Sequence, residues 1–347
     1  MLRVGIAGLG FMGMIHYLSY QKVRGVKVAA ICEQDRKRLT GDWRDIKGNF
    51  GPAGRQMDLS GIATYDDLDA MLEDPKLDMI DITLPPSLHA EIACKALRSG
   101  KHVFCEKPMA LKLADCQRMV AAATRAKRQL LIGHVLPLLP EYAWARKVIQ
   151  SGRYGKLRGG SFRRVISDPA WLRHYWKADA VGGPMLDLHI HDAHFIRLLF
   201  GMPQSVSTTG RMRGKLAESW TTQFRFKKNL AVTATSGTID QQGRPFDHGF
   251  EIHLDRATLI FQFAVIGGEG KYLCEPTLLD DRGKARPATM PAGDPMMNAF
   301  EAELQAVCKA VRTGKGVEML ACNLARDAIA ICQAETKSLS TGKSVRL

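Results

Sequence analysis

Long hydrophobic runs are missing from these 347 residues. No stretch approaches the roughly 20 apolar residues that a membrane-spanning helix needs, so no membrane partner is expected. Paired cysteines are missing too. Eight cysteines are scattered through apolar contexts without a single C-x-x-C pair, which argues against a disulfide scaffold and for buried free thiols in a reducing compartment. The N-terminal MLRVGIAGLG enters a strand pattern at once, with no basic segment, apolar stretch and cleavage site in sequence, so a cytoplasmic protein is expected. Acid is the scarcer charge, 35 Asp and Glu against 49 Lys and Arg, giving a formal net charge of +14. The excess is dispersed, and its tightest clusters, DRKR at 35–38 and RAKR at 125–128, are short. No nucleic-acid-binding motif accompanies them, so the charge reads as a solvated surface that mildly attracts anions. No internal repeat or low-complexity tract is present.

The length suits two domains. Residues 2–7 (LRVGIA), 26–32 (VKVAAIC), 78–84 (DMIDITL), 102–105 (HVFC) and 129–135 (QLLIGHV) are apolar strand patterns. Helix patterns lie between them, at TYDDLDAML (64–72), LHAEIACKALRSG (88–100) and LADCQRMVAAATRAK (113–127). Near-continuous apolar strands alternating with amphipathic helices predict a doubly wound, Rossmann-like α/β domain with a parallel sheet over residues 1–130. From about residue 155 the strands follow one another without helices: GGSFRRVIS, SVSTTGRM, WTTQFRFKK, NLAVTATSGTI, FEIHLD and ATLIFQF. An open, mostly antiparallel sheet in an α+β domain over 131–347 follows, closed by helices at 300–315 and 324–339 that are free to pack back on the first domain. The glycine-rich stretch 47–61 reads as an inserted loop.

The first strand runs into GLGFMG, with Gly8, Gly10 and Gly13 in G-x-G-x-x-G spacing, and a helix pattern follows. In that setting Gly8 permits the tight turn, Gly10 lets backbone approach a pyrophosphate, and Gly13 lets helix and strand pack closely. Glu33 stands 20 residues after Gly13, at the end of the second strand. An acid there accepts hydrogen bonds from ribose hydroxyls and repels a 2′-phosphate, which favours NAD over NADP. Arg36 and Arg38 are the nearby candidates for holding a 2′-phosphate instead.

The segment DMIDITLPPSLHAEIACKALRSGKHVFCEKPMA resembles the glucose–fructose oxidoreductase / inositol dehydrogenase / MocA family. That family carries a nucleotide-binding glycine loop, a strand ending in T-P-P or similar, and GKHVxxEKP, matched here by GKHVFCEKP at 100–108. The resemblance implies a cofactor pocket formed by Gly8, Leu9, Gly10, Phe11, Met12, Gly13, Glu33, Thr83, Leu84, Pro85, His89, Glu106 and Lys107. It implies that Lys107 bonds the reacting hydroxyl or carbonyl oxygen. Near a cationic nicotinamide its ammonium form would be disfavoured, so it would exchange protons near neutrality.

The second family signature, glycines followed by D-x-G-x-H-D, is similar to Gly182, Gly183, Asp187, His189, Ile190, His191 and Asp192. The resemblance implies His191 as general acid/base and Asp187 as the residue that orients substrate or assists Lys107. Asp187 and His191, four apart, are expected on one helix face, with His189 and Asp192 pointing away. His189 stands where a glycine is common, His194 where a second aspartate is common, and GHVLPLLPEY (133–142) lacks an arginine often found there. Asp187, His191 and His194 also invite a metal reading. Spread over seven residues, however, they rise about 10 Å along a helix, too far for one ion. No metal is expected, and hydrogen-bonded packing is the reading for His189 and His194.

The cluster WLRHYW (171–176) offers Trp171, Tyr175 and His174 either to a substrate or to packing. The resemblance implies an NAD-dependent oxidoreductase that moves a hydride between nicotinamide and a secondary alcohol or ketone of a sugar, cyclitol or related polyol. It also implies a homodimer or homotetramer formed through the C-terminal sheet. An NAD-retaining glycoside hydrolase of the same family and a non-catalytic nucleotide-sensing regulator are the alternatives. The substrate, the direction and the oligomer size stay open.

Overall fold

The computed structural model describes residues 1–169, 172 and 175–347. The chain folds into two compact units. One comprises Met1–Leu139 with Ala292–Arg326, the other Pro140–Pro291 with Asp327–Leu347.

The first unit begins with β1 (Leu2–Ala7), α1 (Phe11–Tyr20), β2 (Val26–Cys32) and the short α2 (Arg36–Leu39). It continues with β3 (Ala63–Tyr65), α3 (Leu68–Glu73), β4 (Met79–Ile82), α4 (Pro86–Arg98), β5 (His102–Glu106), α5 (Leu113–Ala126) and β6 (Leu130–Gly133). All six strands are parallel, in the order β3-β2-β1-β4-β5-β6. Except in the short, exposed β3, their apolar side chains are buried on both faces, which is why those strands read as continuous runs. Strand order reverses between β1 and β4, the switch point where ligands sit beyond the carboxyl ends of strands. Ala7 pairs with Cys32 on β2 and Ile82 on β4, so the loops after these strands emerge side by side.

Residues 64–72, read from sequence as one helix, split into β3 and α3. Asp67 stops the strand and caps α3 by accepting from the Asp69 and Ala70 N–H groups. The 47–61 stretch is a loop. Phe50 stacks on Phe300 at 5.6 Å and meets Phe11 edge-on at 4.8 Å.

The second unit opens with α6 (Pro140–Gln150) and β7 (Leu157–Ser167), then reaches α7 (Ile190–Phe200). Strands β8 (Ser205–Arg213), β9 (Leu216–Arg225), β10 (Ala231–Ile239), β11 (Phe246–Leu254), β12 (Ala257–Ile266), β13 (Glu269–Asp280) and β14 (Ala285–Pro287) follow. Together with β15 (Val345–Arg346) they form one nine-stranded sheet, β14-β13-β12-β11-β7-β10-β9-β8-β15. Every pairing is antiparallel except β7 with β10, where Ser161 lies beside Thr233.

Helix α8 (Pro295–Thr313) belongs to the first unit and sends Leu304 and Val307 into its core beside Val4, Met14 and Ile31. The division of the chain falls inside α9 (Cys322–Thr341), after Arg326.

Candidate functional site

At Gly8 and Gly13 the loop has the tight turn and the close helix–strand approach that its spacing predicts. Gly8 has φ +95°, and its N–H donates to the Cys32 carbonyl at 2.9 Å. A Cβ on Gly13 would fall 2.1 Å from the Gly8 carbonyl oxygen, so only glycine allows this approach of helix to strand. At Gly10 a Cβ would meet nothing within 4 Å, so the chain's own packing does not demand glycine there. Gly10 begins α1, whose first turn has no side-chain cap and no acidic residue. A helix start with its N–H groups uncapped, behind a glycine with open space at its Cβ, fits the diphosphate of a dinucleotide.

Glu33 braces this loop. Its Oε2 accepts the Leu9 N–H at 2.7 Å, and its Oε1 accepts from Gln34 and Asp35 N–H. Arg38 donates to the Leu9 carbonyl at 3.1 Å and to Asp45 at 3.0 Å. Arg36 is exposed and lies 3.5 Å from Asp66. The acid at the end of β2 therefore faces the glycine loop, and Arg38 is engaged by the same loop and by acids. Phe11 and Met12 form the first turn of α1.

Across the switch point, the Thr83 hydroxyl donates to the Gly8 carbonyl at 2.7 Å, which ties the Thr83-Leu84-Pro85 turn to the glycine loop. His89 on α4 is fully buried. Its Nδ1 lies 2.9 Å from the Pro108 carbonyl and its Nε2 2.7 Å from that of Leu84. The ring thus lies between the T-L-P-P turn and the E-K-P turn, and burial pushes its pKa down. Glu106 ends β5 and accepts the backbone N–H of Lys107 at 3.0 Å; the Lys107–Pro108 peptide is cis.

In the second unit, Gly182 (φ +80°) and Gly183 (φ +65°) lead into residues that wind as a π-helix over Met185–His189 before α7 begins. The expected single α-helical face for Asp187 and His191 is replaced by a junction of two windings. Wide turns of this kind favour functional positions. His189 and Asp192 are fully buried. Arg164 on β7 grips Asp192 at 2.6 and 3.2 Å and also donates to the Tyr142 hydroxyl at 3.3 Å. Burial, reinforced by the Arg164 charge, pushes the His248 pKa well below its ordinary value, and its Nδ1 lies 3.2 Å from the Tyr142 hydroxyl. His189 bonds Ser236 at 2.7 Å and Glu335 at 3.0 Å, which is hydrogen-bonded packing. His194 is buried on α7. Among the described residues, no three His, Cys, Asp or Glu side chains gather as metal ligands.

Tyr175 is only 2% exposed and packs edge-on against Trp176, so packing claims its ring. Burial, then the Asp187 and Asp168 carboxylates, push its phenol pKa up. Trp171 and His174, and with them Arg173, lie outside the described residues.

Sequence reasoning missed His16, Asp81, Glu303, Arg164 and Glu335. One signal was available: Asp81 is a lone acid in the otherwise apolar strand MIDI.

Residues 2–134 match the family model described as "Oxidoreductase family, NAD-binding Rossmann fold", and residues 142–260 match the GFO/IDH/MocA C-terminal domain. The chain belongs to the Gfo/Idh/MocA oxidoreductase family. Its first unit is accordingly an NAD-binding Rossmann domain. A 1-carboxy-3-chloro-3,4-dihydroxycyclohexa-1,5-diene dehydrogenase of Comamonas testosteroni is 34% identical over 203 residues, 57% of this chain and 47% of that protein. A myo-inositol 2-dehydrogenase of Thermotoga maritima is 28% identical over 205 residues, 58% and 55% of the two chains. The chain spans about half the length of the curated relatives it matches. The structure of a levoglucosan dehydrogenase in complex with NADH and levoglucosan superposes with a TM-score of 0.80 at 20% identity, over 99% of each chain, and shows the shared fold. No helix among the described residues is long and apolar enough to cross a membrane.

Proposed function

We propose that this protein is an NAD-dependent dehydrogenase that interconverts a secondary alcohol and a ketone in a sugar, cyclitol or related polyol. The observation that carries this reading is the glycine loop, with Gly10 open at its Cβ before an uncapped helix start, in a chain whose two family matches are both of the Gfo/Idh/MocA type. Bound NAD would supply the hydride acceptor. Gly8, Gly10, Gly13 and the α1 N-terminus would hold its diphosphate, and Glu33 would meet the adenosine ribose. The Glu33 carboxylate supports NAD over NADP, because a 2′-phosphate beside it would be repelled.

Lys107, Asp187 and His191 take the roles the resemblance implies: Lys107 on the reacting oxygen, His191 as the acid or base for its proton, Asp187 orienting. General acid/base catalysis of this kind contributes about 10²–10⁴ in rate. Large apolar side chains exposed along β12 and β13 (Ile266, Tyr272, Leu273 and Leu279) support a homo-oligomer formed through the nine-stranded sheet.

The test is to follow reduced-nicotinamide absorbance while screening sugars, uronates and inositols with NAD and with NADP. Net NADH formation with at least one polyol, faster than with NADP, is the expected result. Sugar release without net redox change, or no turnover with any polyol, contradicts it.

A further inference from the structure

One imidazole and three acidic side chains share a buried site in the first unit, and of these only Glu106 belongs to the expected cofactor pocket. His16 is fully buried on α1 and stacks on Phe104 at 5.5 Å. Its Nδ1 lies 2.9 and 3.1 Å from the two oxygens of Asp81 on β4, and its Nε2 lies 3.1 Å from Glu106 Oε1. A neutral imidazole has one N–H, whereas a carboxylate at each ring nitrogen calls for two. Burial alone would depress the ring's pKa. The Asp81 and Glu106 carboxylates outweigh it and hold His16 well above its ordinary value, so both nitrogens donate. Glu303 on α8 is also fully buried. Burial, with the Glu106 and Asp81 charges, holds its carboxyl protonated well above the usual range.

Glu106 is therefore gripped on one oxygen by a charged donor. Its other oxygen, Oε2, accepts the Lys107 backbone N–H at 3.0 Å. Behind it, a Cβ on Gly133 would come 3.0 Å from Oε1, so glycine at this position lets β6 lie close behind the carboxylate. We propose that His16 is a positioning residue for hydride transfer: clamped between Asp81 and Glu106, it fixes the Glu106 carboxylate and with it the backbone from which Lys107 projects. The inference rests on the dehydrogenase reading and on Lys107 as its proton-handling lysine. The physical reason is geometric, since a side chain displaced by about 1 Å from a reacting atom costs about 10²-fold in rate.

The test uses the full chain as wild type, His16→Gln, Glu106→Gln and Glu106→Ala. Two quantities are read: hydrogen exchange at the Lys107 backbone amide by NMR, and kcat, KM and NADH affinity with the polyol that the screen identifies. In the wild type the Lys107 amide is expected to exchange slowly. In His16→Gln it should exchange faster, and kcat should fall about 10²-fold while NADH affinity stays within about twofold. Glu106→Gln keeps an oxygen for the Lys107 N–H and should retain more kcat than Glu106→Ala.

An unprotected Lys107 amide in the wild type overturns the proposal, as does a folded His16→Gln with kcat within about twofold of wild type. If His16→Gln does not fold, equal kcat in the two Glu106 variants overturns it. A wild type without turnover refutes the dehydrogenase reading instead, and the amide measurement then decides this inference by itself.

Discussion

Burial drives an imidazole toward its neutral form unless a carboxylate answers it. At His89 and His102 the Glu106 and Asp78 carboxylates do not outweigh burial, and His248 has no such carboxylate, so all three are depressed by burial, with Arg128 adding to the effect at His102 and Arg164 at His248. His16 and His189 are answered. Asp81 with Glu106, and Glu335, overcome burial and raise them. The two sets act in opposite directions on stability. Below about pH 6.5 the unfolded chain binds protons that His89, His102 and His248 refuse, so stability falls as pH falls. Above about pH 6.5 the folded chain keeps protons on His16 and His189 that the unfolded chain releases, so stability falls as pH rises toward their raised values. Each fully shifted group contributes a slope of about 1.4 kcal/mol per pH unit within its window. Melting temperature measured from about pH 5 to about pH 8 should therefore peak near the ordinary imidazole pKa, and His16→Gln should flatten the alkaline side. A melting temperature that climbs steadily through the alkaline side contradicts this. The partners of these rings come from distant elements, which kept them out of reach of sequence reading. Spacing along one helix does not show which acid on a neighbouring strand will face His16.

At the scale of elements, the turn from β1 to α1 makes the sharpest prediction. Gly13→Ala would place a methyl group 2.1 Å from the Gly8 carbonyl oxygen, so helix or strand must shift. It should destabilise the protein by about 1–3 kcal/mol in chemical denaturation, and unchanged stability would contradict the assigned role. This turn was legible in sequence because each glycine answers a local steric demand. The parallel sheet was legible because burial on both faces writes continuous apolar runs. β3 was not, since Ala63 and Thr64 are exposed and the strand is only three residues long. β13 escaped notice for the same reason: much of it is exposed and it contains Pro276, so no apolar alternation marks it. The π-turn at Met185–His189 was illegible because face assignments from spacing presuppose 3.6 residues per turn.

At the scale of the whole molecule, the residues proposed for the chemistry fall in both units. The first holds the glycine loop, Glu33 and Lys107, and the second holds Asp187 and His191. The net charge of +14 adds a general attraction for anionic ligands. Everything proposed for the second unit presupposes that the first binds a dinucleotide at Gly8–Gly13, and this claim can be tested without knowing the substrate. NADH is titrated into the purified chain and into Gly10→Ala by calorimetry, with melting temperature followed in parallel. The account predicts saturable binding of one NADH per chain, and a Gly10→Ala protein that melts like the wild type yet binds about tenfold or more weakly, a loss of about 1.4 kcal/mol. No binding by the wild type, or equal binding by both proteins, would contradict it.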